Sequence, residues 1–258
     1  MSDQQAASTE SVNSGFPIIR EIKFNQILSW LKLGVHDLRQ AKLASLFYGF
    51  VFAVAGFLMH AVLFEASWLL SGLTTGFLLV GPFLAMGLYD LSRRMGLGEK
   101  PNLLITLTAW RANLINVGIF AGVLVVILLI WARASLVIFA LFFQGGLPTF
   151  LDIVHTLITF QQPTFALVYF AVGGFFAAFV FSVSVVAIPL MADKKTDAVT
   201  AAIASLIAVV RNPLKMALWA LTIVLLVAVG FATFYLGLII TMPIIGHASW
   251  HAYKDLVQ

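Results

Sequence analysis

Residues 214–246 read LKMALWALTIVLLVAVGFATFYLGLIITMPIIG, a nearly unbroken apolar run whose one charge is Lys215. As one helix the run would be roughly 50 Å long, well beyond the ~30 Å hydrocarbon core of a bilayer. It is therefore expected to make two membrane spans, joined by a tight turn near Gly230 to Phe234. Beyond it the chain closes with GHASWHAYKDLVQ, in which His247, His251 and Asp255 recur every four residues and share one face of a helix.

The rest of the sequence agrees with a membrane setting. Of its residues 61% are hydrophobic and only 10% charged, against roughly a quarter charged in an ordinary soluble domain. Four more apolar runs are long enough to cross: Leu43–Phe64, Trp68–Tyr89, Leu114–Trp131 and Thr164–Met191. The expected count is six spans, with five as the competing count. With six spans, of the 15 Lys and Arg only Arg133 falls on the outer side, so the positive-inside rule places both termini in the cytoplasm. Five spans would strand only Lys254, so charge alone hardly separates the two. Residues 1–20 are polar and read as a flexible cytoplasmic tail; residues 21–258 form a single transmembrane domain.

An internal repeat favours six. Pro82, Pro189 and Pro243 each precede two large apolar residues and a small one, toward the inner end of an even-numbered span. Before each odd-numbered span lies an amphipathic stretch: FNQILSWLKLGVHDLRQ, PNLLITLTAWRAN and TDAVTAAIASLIAVVRNP. Arg39, Arg111 and Arg211 lie near their ends, as suits helices in the inner interface. The expected fold is thus all-α: six spans in three hairpins, each preceded by an interfacial amphipathic helix. Residues 132–162 break the pattern. They are read as an extension of the third span or an outer-surface segment, with Leu151, Val154, Leu157 and Ile158 on a short amphipathic helix.

No Asp, Glu, Lys or Arg lies near the middle of any expected span, which argues against proton pumping and ion-coupled transport. Gly72/Gly76, Gly118/Gly122 and Gly174/Ala178 allow close helix approach, either inside one bundle or against a partner. Ionisable residues gather instead at the inner interface: His36, Asp37, Arg39, Asp90, Arg93, Arg111, Asp193 and Arg211, with the terminal His247, His251 and Asp255. Two imidazoles and a carboxylate on one face suit zinc or iron, and one imidazole suits a haem. The alternative is that this face pairs with neighbouring helices beside the interfacial Trp250 and Tyr253. No cofactor is expected on that alternative. The chain has no Cys, and it carries no GxSxG, P-loop or GxGxxG motif. Nothing in it suits nucleic acid.

The stretches WLKLGVHDLRQAKLASLFYGFVFA, GFLLVGPFLAMGLYDLSRR, VFSVSVVAIPLMADKKTDAVTAAIASLIAVVRNP and GHASWHAYKDLV resemble DUF2189, a family of bacterial integral-membrane proteins. The resemblance implies a polytopic protein of the bacterial inner membrane and brings no activity, cofactor or substrate. Some members of that family carry the label of cytochrome c oxidase subunit I. Here the nearest candidate haem ligand, His60, lies at a span end and gives that role no support. The expected function is a non-catalytic accessory, assembly or scaffold protein, packed in the bilayer against another membrane complex or itself. The alternatives are a transporter or lipid-handling protein, and a metal-dependent enzyme built on His247, His251 and Asp255.

Overall fold

The first long helix, α1 (Phe24–Gln40), starts where the side chain of Gln26 folds back to accept a 2.5 Å bond from the backbone N–H of Lys23. It has two useful faces. Ile27, Trp30, Gly34 and Asp37 are buried inward, whereas Phe24, Leu28 and Leu33 are exposed. After Ala41 the chain re-enters helix as α2 (Lys42–Glu65). These coordinates are a computed structural model that describes residues 16–65, 83–143 and 162–258. The next helix, α3, covers 83–96 and ends where Gly98 takes a positive φ of 79°. There Gly98 and Glu99 cap the carbonyls of Met95 and Arg94.

The expected helix over 101–113 is broken. Only α4 (Leu103–Thr106) and a 3₁₀ turn (Ala109–Asn113) form. Thr106, Thr108 and Trp110 each donate a side-chain bond to the carbonyl three residues back, so side chains take acceptors that a regular helix needs. From there α5 (Leu114–Phe142) runs for 29 residues, about 44 Å at 1.5 Å each, and absorbs residues 132–142. The amphipathic helix expected around Leu151 to Ile158 lies outside the described residues.

Proline opens α6 (Pro163–Ser184), where its missing N–H costs nothing. The expected fourth span does not continue unbroken. Val185 and Val186 interrupt it before α7 (Ala187–Lys194), and the N–H of Val186 bonds Ser205 Oγ instead of its own helix. Pro189, which lacks an N–H, weakens the same turn. The next helix, α8 (Ala198–Arg211), is capped by Asp197, whose carboxylate accepts from the N–H of Val199 and Thr200. Its alanines 201, 204 and 208 are fully buried. The long apolar run splits as its length demands, into α9 (Pro213–Ala232) and α10 (Leu238–Leu256). Phe234 and Tyr235 adopt positive φ in the turn between them.

Among the described residues four helical stretches are long and apolar enough to cross a membrane: Lys42–Ala61, Leu103–Phe142, Pro163–Lys194 and Pro213–Ala232. Most of the expected second span, and Pro82, lie outside the described residues. Among the described residues there is no strand; the one β-bridge pairs Ile19 with Val257. The packed region reaches back past residue 20. Ile19 is buried, Arg211 donates to its carbonyl at 2.8 Å, and Arg20 N–H bonds the carbonyl of Leu256 at 2.8 Å.

Helix α10 is the centre of the fold. From Ile245 to Leu256 most of its residues are buried, and it packs on α1, α2 and α9. Pro243 has no N–H to offer the carbonyl of Ile239 four residues back. That carbonyl faces Gly49 of α2, where an added Cβ would stand 2.1 Å from it. Glycine lets the two backbones close here, and α1 does likewise at Gly34 against the carbonyl of Ile244. Trp30 and Trp219 meet edge to face at 5.6 Å in the larger core. Toward the other end an aromatic ladder joins α5 to α6: Phe139 stacks on Tyr169 at 5.4 Å, and Phe143 meets Phe165 at 5.0 Å.

Two glycines give a matched test. Gly49→Ala is expected to lose about 2 kcal/mol through overpacking, because backbone must shift. Gly118→Ala on α5 meets open space and is expected to be neutral or stabilising by up to about 1 kcal/mol. Thermal unfolding of both variants in mild detergent checks this. Equal stability of the two would contradict the packing of α10 on α2.

Candidate functional site

Where α1, α2, α3 and α10 converge, five side chains form one hydrogen-bonded chain. Ser45 Oγ is 2.8 Å from His247 Nε2, and His247 Nδ1 is 2.7 Å from Ser92 Oγ. Ser92 Oγ donates to Asp37 Oδ2 at 2.6 Å. His251 Nε2 is 2.9 Å from the same carboxylate oxygen. Ser45 and His247 are fully buried, Ser92 and Asp37 nearly so, and His251 is partly exposed.

The donors and acceptors fix the proton positions. Burial opposes ionisation of Asp37, but the bonds from His251 and Ser92, together with the nearby imidazoles, hold its carboxyl below its ordinary range. An ionised carboxylate only accepts, so Ser92 spends its proton on Asp37 and offers a lone pair to His247. His247 then carries its proton on Nδ1, and Nε2 accepts from Ser45. His251 donates through Nε2. The arrangement satisfies all four buried members.

Each residue of the expected terminal triad thus has its own partner. His247 lies between two serines, His251 on Asp37, and Asp255 accepts from Trp30 Nε1 at 2.7 Å and Gln26 Nε2 at 3.0 Å. Among the described residues no group of three or more His, Asp or Glu is arranged to hold a metal ion. The pairing of Ser45 with His247 has the spacing of a nucleophile and its base, but Ser45 is fully enclosed and offers no face to a substrate.

The rest of the expected inner cluster divides into separate pairs. Asp90 bridges Arg93 and Arg94 at 2.6 and 2.8 Å. Arg111 lies over Trp110 at 5.4 Å. Asp193 accepts from Tyr253 Oη at 2.8 Å, with Lys254 at 3.4 Å. Arg211 ties down the carbonyl of Ile19. His36 and Arg39 are exposed on the outer side of α1, beside a shallow groove with Leu31, Lys32 and Val35. Sequence reasoning missed Ser45, Ser92, Trp30, Gln26 and Asn212. The last accepts from the N–H of Ile22 and donates to the carbonyl of Arg20. Gln26 and Trp30 share a face of α1, four residues apart, but Ser45, Ser92 and Asn212 come from separate segments that no spacing pattern links.

Ser92→Ala, which removes the link between Asp37 and His247, is expected to cost about 2 kcal/mol at pH 7. Unfolding in mild detergent checks this, and a variant as stable as the parent would refute the hydrogen-bonded chain.

No curated protein and no solved structure matches the chain. The long apolar helices make it an integral membrane protein, and residues 69–193 match the DUF2189 family, described as a predicted integral membrane protein.

Proposed function

We propose that the protein is a non-catalytic accessory, assembly or scaffold component of the bacterial inner membrane, packed against another membrane complex. In this reading it has six spans in three hairpins and both termini in the cytoplasm. The observation that carries it is the outward face of α5. Ile115, Ile119 and Val126 on that face are exposed, and Gly118 and Gly122 between them meet no described residue. Gly174 on α6 is equally open. Small residues at this spacing suit close approach of a second helix, and within the described chain none takes that place. The ionisable groups of the charged end support the same reading, because they are bonded to one another across α1, α2, α3 and α10.

Expression at native level, purification in mild detergent and mass spectrometry of the retained proteins test the reading. Near-stoichiometric retention of a membrane complex is expected. A Gly118→Leu/Gly122→Leu double variant is expected to lose that retention by about tenfold, the effect of about 1.4 kcal/mol at the interface, while its melting temperature is unchanged. A protein that emerges alone would overturn it. Sidedness is tested separately and cleanly, because the chain has no Cys. Phe234→Cys is expected to react with a membrane-impermeant thiol reagent from the outside, and Lys254→Cys only after the membrane is opened. Labelling of both from the same side would refute six spans.

A further inference from the structure

A cleft of about 200 Å³ opens at the charged end, between α3, the 3₁₀ turn, α7 and α10. Its lining is partly polar, with Asp90, Arg93, Arg94 and Thr108, and partly apolar and mostly small, with Ile105, Ala109, Ala112, Ala192 and Trp250. It shares no residue with the buried Ser/His/Asp chain.

The polar part of the lining is prepared for an anion. Asp90, itself buried, accepts Nε and Nη2 of Arg93 on one oxygen, at 3.0 and 2.6 Å, and Nε of Arg94 on the other at 2.8 Å. The carboxylate thereby orients both guanidinium groups. Arg94 spends one further donor on Glu99, at 2.7 Å, which is half-exposed and does not line the cleft. Nη1 of Arg93 and Nη2 of Arg94 keep N–H groups beyond these bonds. Asp90 and Glu99 balance the two guanidinium charges, so what remains for a ligand is the unspent N–H donors. Forked, pre-oriented guanidinium donors are the side-chain chemistry that matches phosphate oxygens.

The apolar part of the lining says which phosphate. A free phosphate ion has no use for Ile105, the alanines and the Trp250 ring, whereas the carbons attached to a phosphodiester do. Cation–aromatic pairs flank the cleft: Arg111 over Trp110 at 5.4 Å and Lys254 over Trp250 at 5.8 Å. Such pairs suit the headgroup level of a bilayer. We propose that this cleft binds the phosphate of an anionic phospholipid, with Arg93 and Arg94 on the phosphate oxygens and the glycerol carbons along Ala109, Ala112 and Trp250. The lipid as source rests on the membrane placement proposed above; the phosphate chemistry of the cleft does not.

The test uses the full chain, delipidated in mild detergent and followed by native mass spectrometry and tryptophan fluorescence. The probes are short-chain phosphatidylglycerol, phosphatidylcholine and inorganic phosphate. Phosphatidylglycerol is expected to bind at least about tenfold tighter than phosphatidylcholine, whose choline cation would stand beside Arg93 and Arg94. Arg93→Gln/Arg94→Gln should remove that preference. Ala112→Leu, which fills the apolar part without touching a charge, should weaken lipid binding about as much while inorganic phosphate competes as before. This variant decides the matter if the double variant, which strips Asp90 of its partners, does not fold. Inorganic phosphate binding as tightly as the lipid would keep the anion site and overturn its lipid source. Lipid binding indifferent to both variants, or equal affinity for the two lipids, would overturn the site. Correct sidedness by cysteine labelling with no lipid preference counts against the cleft alone and leaves the membrane placement standing.

Discussion

A carboxylate taken out of water must be surrounded by donors, and Asp37 is where this chain meets that demand. Its Oδ2 gathers Ser92 from α3 and His251 from α10, and through Ser92 it orients His247, which in turn engages Ser45 at the start of α2. Four helices are thereby held at fixed rotation and height. The close backbone contacts at Gly34 and Gly49 are possible only in that register, because a shift of one residue would bring a larger side chain against the carbonyls of Ile244 or Ile239. Apolar surface in lipid gives little preference for one helix rotation over another. The polar chain supplies the preference that the apolar faces lack.

The large elements were legible because their signals are local. The break after Ala232 follows from bilayer thickness alone, and α8 ends where Pro213 requires. The breaks at 101–113 and at 185–186 were not legible as such. Both depend on side chains taking backbone partners, and for Val186 the competing hydroxyl, that of Ser205, comes from the following helix. The site was half legible. Spacing placed His247, His251 and Asp255 on one face, and the structure keeps them there. Yet residues four apart stand about 6 Å apart along the axis and turn by about 40° at each step. One such stripe therefore reaches three separate partners as readily as one common ion, and only the tertiary arrangement shows where they lie.

The two ends of the molecule follow different rules. At the charged end specificity comes from paired polar groups and a few close backbone contacts. Along α5 and α6 it comes from ring geometry, with Trp131, Phe139, Phe165 and Tyr169 clasping the two helices while their far sides face outward. A change at the first end disturbs the fold itself. A change on the outer side of the second leaves the fold intact and alters only what the protein meets in the membrane.

Helix α10 also imposes an order on biogenesis. Chains fold largely in the order in which they are made, and α10 follows every helix it completes. Until it arrives, Ser45 and Ser92 have no imidazole between them, Asp37 lacks His251, and the indole N–H of Trp30 lacks Asp255. Such a half-built protein presents polar groups that invite the wrong partners, or recognition by quality-control proteases. A ribosome that stops before residue 238 thus leaves more than a shorter protein: it leaves one whose first three helices carry the mark of being unfinished.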